Sequence, residues 1–429
     1  MQLVILAGGK GTRLGLTDVP KPMASMGGKP LLEQQIELSK RYGVKEVFIL
    51  EGHLAHVISD YFGDGSRWGI KIHHVVEPHP LGTAGALKLL EGKLIDRFLV
   101  FYGDIVMDFD IKSFQNFDSV HDGIATILVH PNSHPYDSDL VEINENLSVK
   151  SFLSKPHPED LIYKNLVNAS VYIMSPRVMN YIEPGIVSDF GKHILPKLLK
   201  QNQEIYAYET HEYLKDMGTK ERFLLACQDL ETGKLTRLNK KNARPAIFLD
   251  RDGTLTNNMD KNPNVKYFRL LSGVSDAIAK INKSDYLSIV VTNQPMVAKG
   301  VVTKENVENV HKKMETLLGK KHAYLDGIYY CPHHPEKGFA GEVIELKIDC
   351  NCRKPKIGMF LQAQKDFNID LPKSWMIGDS ECDMQAGKTA GCKTILVNNE
   401  ILKTDLSDYV CRDVGEAVDL ILRRQNDFN

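Results

Sequence analysis

The sequence predicts an α/β protein made of two successive domains. Three observations carry that expectation. The chain has 429 residues, with 42% hydrophobic and 25% charged, so it is long for one domain and can bury a core in each of two. Up to about residue 225, short apolar runs alternate with stretches of helical apolar spacing. After a polar stretch that ends in proline, the same alternation begins again.

Taken in order, "LVILAG", "EVFIL", "IKIHHVVE", "RFLVFYGD", "IATILVH", "ASVYIMS" and "EIYAYE" read as strands. "PLLEQQIELSKRYG" and "RFLLACQDLETG" read as helices. The alternation points to a largely parallel sheet. "ETGKLTRLNKKNARP", residues 231–245, is basic and poor in apolar residues, and reads as a linker or the tail of a helix. Beyond it "AIFLD", "YLSIVVTN", "DGIYYC", "SWMIGD" and "KTILVN" are strands again. The expected domains are therefore 1–230 and 246–429, joined by 231–245.

A formal net charge of −2 gives no global attraction to nucleic acid or an anionic membrane. No apolar stretch approaches the roughly 20 residues needed to cross a bilayer. The N-terminus runs straight into a strand without a basic region or cleavage site, so no signal peptide is expected. Seven cysteines are odd in number and sparse, which argues against a disulfide framework and for a reducing cytoplasm.

The first site lies in "LAGGKGTRLG". Glycines Gly8, Gly9 and Gly11 allow a tight turn and close approach to a ligand, consecutive N–H groups there form a concave anion site, and Arg13 adds a fixed charge. "VPKPM" holds Lys21 between two prolines. "VVEPHPLGTAGAL" is a second Gly-rich turn, "VFYGDIVMD" puts Asp104 at a strand end, and "YLKDMGT" supplies Asp216. Taken singly, each aspartate reads as a turn or capping residue. Two carboxylates together with polyphosphate oxygens make a hard-oxygen site of the kind Mg²⁺ prefers.

In this order the set resembles the sugar-1-phosphate nucleotidyltransferases over about residues 2–225. In "ILAGGKGTRL", "VPKPMASMGGKPLLE" and "EPHPLGTAGAL" it is most similar to the heptose-1-phosphate guanylyltransferase branch. The resemblance implies that Gly8, Gly11, Thr12 and Arg13 hold the nucleoside triphosphate and that Lys21 neutralises charge at its α-phosphate. It places Glu77, Gly82 and Thr83 at the base or sugar, Asn168 at the sugar, and Mg²⁺ on Asp104 and Asp216. Lys155 in "FLSKP" would contact phosphate, although Ser154 stands where relatives often have glutamate. The implied chemistry is attack of a sugar-1-phosphate oxygen on the α-phosphate with loss of pyrophosphate, Arg13 and Lys21 stabilising the transferring charge.

The second site begins at "AIFLDRDGTLT". Asp250 and Asp252, two residues apart after a strand, can converge so that one is nucleophile and metal ligand while the other moves a proton. Asp-Gly alone would be a common turn. "IVVTNQ" adds Thr292 and Asn293 as donors to a phosphoryl oxygen, "CRKPK" adds the cations Arg353 and Lys354, and "MIGDSECD" adds Asp379 and Asp383. This ordered set is similar to haloacid-dehalogenase-type phosphohydrolases from residue 246 to about 424. The resemblance implies an aspartyl-phosphate on Asp250, proton transfer by Asp252, and Mg²⁺ on Asp250, Asp252 and Asp379. Ser380 stands where close relatives often have lysine or arginine.

Inside that domain "YYCPHHPEKGFAGEVIELKIDCNC" carries Cys331, His333, Cys350 and Cys352, a C-x-H…C-x-C set. Three thiolates and an imidazole make a closed tetrahedral site of the structural Zn²⁺ type, with His334 as an alternative ligand. The spacing is similar to the zinc loop of the histidinol-phosphatase and heptose-bisphosphatase branch. A zinc-rigidified loop is expected to deliver Arg353 and Lys354 to the phosphate. Cys382 has no neighbouring base and is expected to be a packed side chain.

Together the resemblances imply two Rossmann-like α/β domains: a nucleotidyltransferase fold, then a haloacid-dehalogenase-like fold with a zinc loop. They imply a bifunctional cytoplasmic enzyme. It would remove the 7-phosphate of D-glycero-D-manno-heptose 1,7-bisphosphate and transfer a nucleotidyl group, GMP from GTP, to heptose 1-phosphate, toward an NDP-heptose for surface glycans. Its partners would be nucleoside triphosphates and sugar phosphates rather than nucleic acid or membrane. Three other readings stand: a different hexose 1-phosphate as acceptor, histidinol phosphate as phosphatase substrate, or a silent nucleotide-sugar-binding N-terminal half.

Overall fold

The computed structural model describes residues 1–9, 18–257, 264–397 and 405–426. The chain divides into two compact units. The first holds Met1–His130, Asp139–Lys155 and Leu166–Asn239, and the second holds Pro131–Ser138, Pro156–Asn165 and Lys240–Asn429.

Apart from a two-residue ribbon, Ser25–Met26 with Lys29–Pro30, the strands of the first unit are β1 (Gln2–Ala7), β2 (Glu46–Glu51), β3 (Lys71–Val76), β4 (Phe98–Tyr102), β5 (Ile105–Asp108), β6 (Ala125–His130), β7 (Leu140–Ile143), β8 (Val149–Leu153), β9 (Val167–Met174), β10 (Ile205–Glu209) and β11 (Tyr213–Asp216). Among the described residues nine of them form one sheet, with the path β8-β7-β9-β4-β1-β2-β3 and with β6 joining β9 to β10. Strand β1 is buried on both faces, as a central parallel strand must be. Alternation sends Leu3 and Ile5 into one core with Val47, Ile49 and Ile72, and Val4 into another with Phe48, Leu50 and Val100.

The sheet is mixed rather than largely parallel. Strands β1 to β4 run parallel, whereas β9 pairs antiparallel with β4, β6 and β7, and β8 pairs antiparallel with β7. The cause is connection length. A parallel partner needs a long crossover, but β7 and β8 are joined by a short turn in which Asn144 N–H donates to the Ser148 carbonyl at 2.9 Å. Strands β5 and β11 pair antiparallel in a separate ribbon.

The stretch read as a linker or the tail of a helix is partly helical. After the helix Lys220–Glu231 a short turn of helix, Lys234–Arg237, buries Leu235 with Met26, Val106, Tyr213 and Met217. Asn239 is buried and donates to Asp108 Oδ1 at 2.8 Å.

The second unit contains β12 (Ala246–Leu249), β13 (Leu287–Asn293), β14 (Gly327–Cys331), β15 (Trp375–Gly378), β16 (Lys393–Val397) and β17 (Tyr409–Cys411), all parallel in the order β14-β13-β12-β15-β16-β17. Ile247 and Leu249 pack into one core while Ala246 and Phe248 pack into the other. In both units the first strand is where the order reverses: β1 lies between β2 and β4, and β12 between β13 and β15. Open α/β sheets bind ligands beyond the C-terminal ends of strands at such a point. Gly8 and Gly9 follow β1 there, and Asp250 to Gly253 follow β12. Among the described residues no helix is long and apolar enough to cross a membrane.

Candidate functional site

In the first unit Gly8 follows β1, and Gly11, Thr12 and Arg13 lie outside the described residues. The backbone at Gly8 sits against a carboxylate: a Cβ there would lie 2.1 Å from Glu77 Oε1. Glu77 leaves β3, accepts from Leu81 N–H at 2.9 Å, and is raised above the usual carboxylate range by burial. Gly82 has φ +74° and its missing Cβ would meet the Ser188 carbonyl at 2.4 Å, so this turn excludes a side chain. Thr83 donates to Asp189 Oδ2 at 2.8 Å and accepts from Phe190 N–H at 3.0 Å.

Asn168 opens β9 at an irregularity in the β9–β6 register and donates to the Tyr172 hydroxyl at 3.0 Å. Tyr172 meets Tyr102 edge-on, with ring centroids 6.1 Å apart. Sequence reasoning found Thr83 and Asn168 but missed Tyr102, Tyr172 and Asp189, which tie them together. "FYGD" and "VYIM" read only as strand interior, and a cross-strand pair has no signature in local spacing. Lys155 is exposed, and its N–H donates to Asp139 Oδ1 at 3.2 Å.

The expected cation and carboxylates assemble. Lys21 Nζ lies 2.6 Å from Asp104 Oδ2. The β5–β11 ribbon pairs Asp216 with Ile105, and Met217 N–H donates to the Asp104 carbonyl at 3.0 Å, so the two aspartates leave neighbouring strands together. Asp216 accepts from both Arg222 (2.7 and 2.9 Å) and Gly218 N–H (2.8 Å). Burial pushes its carboxyl up, but Arg222, with Gly218 and Lys21, outweighs burial and holds it below the usual range. Arg222 was not anticipated. It is placed one turn into a helix capped by Thr219, whose hydroxyl accepts from Arg222 N–H.

In the second unit the parallel register sets the chemistry. Leu249 pairs with Val290 and Ile377, so Asp250, Thr292 and Asp379 emerge side by side. Lys354 Nζ contacts Asp250 Oδ1 at 2.6 Å, Asp383 Oδ1 at 2.5 Å and the Val291 carbonyl at 2.7 Å. Its backbone is pinned by Asn293, which accepts from Lys354 N–H and donates to the Lys354 carbonyl, each at 3.0 Å. Gly253, at φ +84°, makes room for Asp379, whose Oδ2 would lie 1.9 Å from a Cβ.

Carboxylate oxygens of Asp250, Asp379 and Asp383 all lie within 4.8 Å of one another. Three carboxylates face one ammonium, so negative charge is in surplus. Burial, with Asp383 adding repulsion and Lys354 opposing it, raises Asp250 to about 7. Burial and Asp383 raise Asp379 to about 6. Burial works against the Lys354 ammonium, but Asp250 and Asp383 outweigh it and hold the group above the ordinary lysine range. A divalent cation held by oxygen ligands fits this surplus.

Asp252, expected as both proton donor and metal ligand, is not in this convergent set; Asp383 is. The Asp252 carboxylate instead accepts from Arg251 Nη2 and Gln294 Nε2, both at 2.7 Å. Asp383 also accepts from the Ser380 hydroxyl at 2.6 Å, while Ser380 caps the helix Glu381–Thr389. Ser380 thus fixes a carboxylate rather than contributing a charge. Burial pushes the Cys382 thiol up to about 11, which fits a packed side chain.

Cys331, His333, Cys350 and Cys352 converge as the spacing suggested. Their sulfurs lie 3.2 to 3.5 Å apart and His333 Nδ1 is 3.2 Å from Cys352 Sγ. A tetrahedron with metal–sulfur bonds of about 2.3 Å has edges of about 3.8 Å, so one tetrahedral ion fits with a small expansion. All seven cysteines are unbridged. His334 Nδ1 turns instead toward the Glu336 carbonyl, 3.5 Å away. Arg353, next to Cys352, reaches the His333 carbonyl at 3.4 Å, linking the cluster to the segment that carries Lys354.

Comparisons with known proteins divide at the same place. A family model described as nucleotidyl transferase matches residues 2–233, and one described as HAD-hydrolase-like matches residues 351–417. A D-glycero-beta-D-manno-heptose-1,7-bisphosphate 7-phosphatase of Escherichia coli is 37% identical over 186 residues, covering 42% of this chain and 96% of the relative. The phosphatase of the same name from Haemophilus influenzae is 43% identical over 187 residues, covering 42% of this chain and 97% of the relative. A crystal structure of HddC from Yersinia pseudotuberculosis is 28% identical, covering 53% of this chain and 99% of that one, with a TM-score of 0.47.

Proposed function

Because the chain belongs to the nucleotidyl transferase family and, through its C-terminal part, to the D-glycero-beta-D-manno-heptose-1,7-bisphosphate 7-phosphatases, we propose that it performs two consecutive steps. It removes the 7-phosphate of the heptose bisphosphate, then couples the remaining heptose 1-phosphate to a nucleotide, GMP from GTP. The observation that carries this reading is the pairing of these two families in one chain. A bisphosphate gives a simple nucleotide-sugar only after its distal phosphate is gone and its anomeric phosphate is left as nucleophile.

In the phosphatase step Asp250 attacks phosphorus while Thr292, Arg353 and Lys354 hold the phosphoryl oxygens. Asp252 gives its proton to the departing sugar oxygen and then takes one from the attacking water. Mg²⁺ held by Asp250, Asp379 and Asp383 would offset the surplus charge when bound. The four cysteine and histidine ligands suit Zn²⁺ and leave no position open, so its role is to hold the loop.

In the transfer step Lys21 leaves Asp104 for the α-phosphate of the incoming triphosphate. Asp104, released as Lys21 leaves it, and Asp216, held by Arg222, would take Mg²⁺ together with phosphate oxygens. Thr83, Asn168 and Asp189 line up as polar contacts for the sugar.

With heptose 1-phosphate supplied directly, pyrophosphate release is expected to be fastest with GTP among the four NTPs. Asp104→Asn is expected to lower it at least about 100-fold, the scale of losing one electrostatic group at a reacting phosphate. No release from the wild type with any NTP would instead mark the N-terminal half as a silent binding module.

A further inference from the structure

We propose that His311 is a positioning residue for the phosphatase, holding Arg251 so that Arg251 in turn aims the carboxylate of Asp252; this rests on the phosphatase reading above. The path is short and buried. Arg251 donates to Asp252 through Nη2 (2.7 Å to Oδ2) and Nε (3.3 Å to Oδ1). Its side chain is 3% exposed, so its remaining N–H groups need partners within the protein. Nη1 finds one in His311 Nε2, 3.2 Å away.

His311 projects from the helix Lys304–Gly319, which follows β13, the direct neighbour of the strand β12 that leads to Asp252, and is buried. Its ring meets Tyr330 edge-on at 5.4 Å, which fixes the ring plane. A guanidinium has only donors, so Nε2 must present its lone pair and the ring proton sits on Nδ1. Burial, with the charge of Arg251, holds His311 well below the ordinary histidine range, in keeping with a neutral ring.

The arrangement decides which oxygen of Asp252 does the chemistry. Oδ2 accepts two short bonds, from Arg251 and from Gln294. Among the described residues Oδ1 accepts only the longer bond, from Arg251 Nε. Oδ1 therefore carries the mobile proton. As the bond from an Asp250 oxygen to phosphorus forms and the sugar C–O–P linkage breaks at P–O, that proton goes to the leaving oxygen. When water attacks phosphorus and the Asp250–phosphorus bond breaks, Oδ1 takes a proton from the water. Two turn contacts hold the backbone of this segment: Asp252 bridges Thr256, and Gly253 N–H donates to the Thr256 carbonyl at 2.8 Å. What remains to be set is the carboxylate's rotation: Gln294 holds Oδ2, and the Arg251 fork anchored on His311 grips both oxygens and so sets the plane. A lost anchor leaves a buried N–H unsatisfied and lets the fork turn.

The test compares His311→Leu with His311→Gln in the full chain. Glutamine keeps an oxygen acceptor for Arg251, and leucine does not. With the heptose bisphosphate, His311→Leu is expected to lower kcat roughly 10- to 100-fold with KM within about twofold, the scale of a misplaced proton-transfer group. His311→Gln is expected to recover to within about threefold of wild type. With p-nitrophenyl phosphate, whose leaving group needs no proton, His311→Leu is expected to release about one equivalent of nitrophenolate per site in a burst, followed by slow turnover.

Unchanged kcat in His311→Leu overturns the proposal, as does a rise in KM in place of the fall in kcat. Equal damage in His311→Gln and His311→Leu also overturns it, because packing alone would then account for the loss. If His311→Leu does not fold, Arg251→Lys serves, since one ammonium nitrogen cannot replace the three coplanar nitrogens that reach both Asp252 oxygens and His311; unchanged kcat there is equally fatal. Wild-type protein that turns over p-nitrophenyl phosphate but not the bisphosphate would unseat the substrate assignment, and the p-nitrophenyl phosphate arm would still decide the role of His311.

Discussion

Replacing Asp250 by asparagine is expected to stop phosphate release from the heptose bisphosphate, by at least about 10⁴-fold in kcat, the scale of deleting a nucleophile. Pyrophosphate release from supplied heptose 1-phosphate and GTP should stay within about twofold of wild type, because Asp250 belongs to the second unit's site alone. The amide keeps the shape of the side chain, so no cavity opens. It should not unfold the domain either. Burial and Asp383 raise the Asp250 carboxyl to about 7, above an unfolded value of about 4. A carboxyl raised in this way costs stability as pH climbs from about 4 through 7, and a neutral amide removes that cost. The loss is therefore one of chemistry. Parallel loss of both activities in the variant would contradict two separate sites.

The second large effect is expected from Cys350→Ser. Between Cys331 and Cys350 the described backbone has one short helical turn, Ile344–Leu346, so a metal on the four ligands would add order that secondary structure does not supply. Zinc content should fall from about one per chain to near zero. Phosphatase kcat should fall at least about tenfold, since Arg353 loses its hold on the His333 carbonyl and Lys354 follows it in the chain. Nucleotidyl transfer should survive. Atomic absorption and the two assays on one preparation decide it. A zinc-free variant with wild-type phosphatase kinetics would remove the loop from the account.

Much of this was readable from residue order, and the limits have physical causes. A parallel strand buried on both faces is a run of Val, Ile and Leu, so β1, β2, β4, β12 and β13 announced themselves. Thiol and imidazole spacing marked the set Cys331, His333, Cys350 and Cys352. Asp250, Thr292, Lys354 and Asp379 each follow a strand or a motif, and the register of β12, β13 and β15 brings them together. Asp383 was noticed only as part of "GDSECD". Its place among the carboxylates depends on the capping geometry of Ser380, which is three-dimensional. His311 was not singled out, because nothing in its own neighbourhood of sequence points to Arg251, 60 positions away. The hairpin β7–β8 escaped because its strands are short and its turn, "NENLS", lacks glycine.

The central claim is that one chain performs two ordered steps on one sugar. It is tested most directly by phosphorus NMR of the wild-type protein with Mg²⁺ and heptose 1,7-bisphosphate, followed by addition of GTP. Before GTP, the account predicts loss of the 7-phosphate signal, appearance of inorganic phosphate, and an intact anomeric phosphate. After GTP, it predicts pyrophosphate and a sugar-linked diphosphate in equal amounts. Loss of the anomeric phosphate first, or pyrophosphate formed while the 7-phosphate persists on the product, would contradict it.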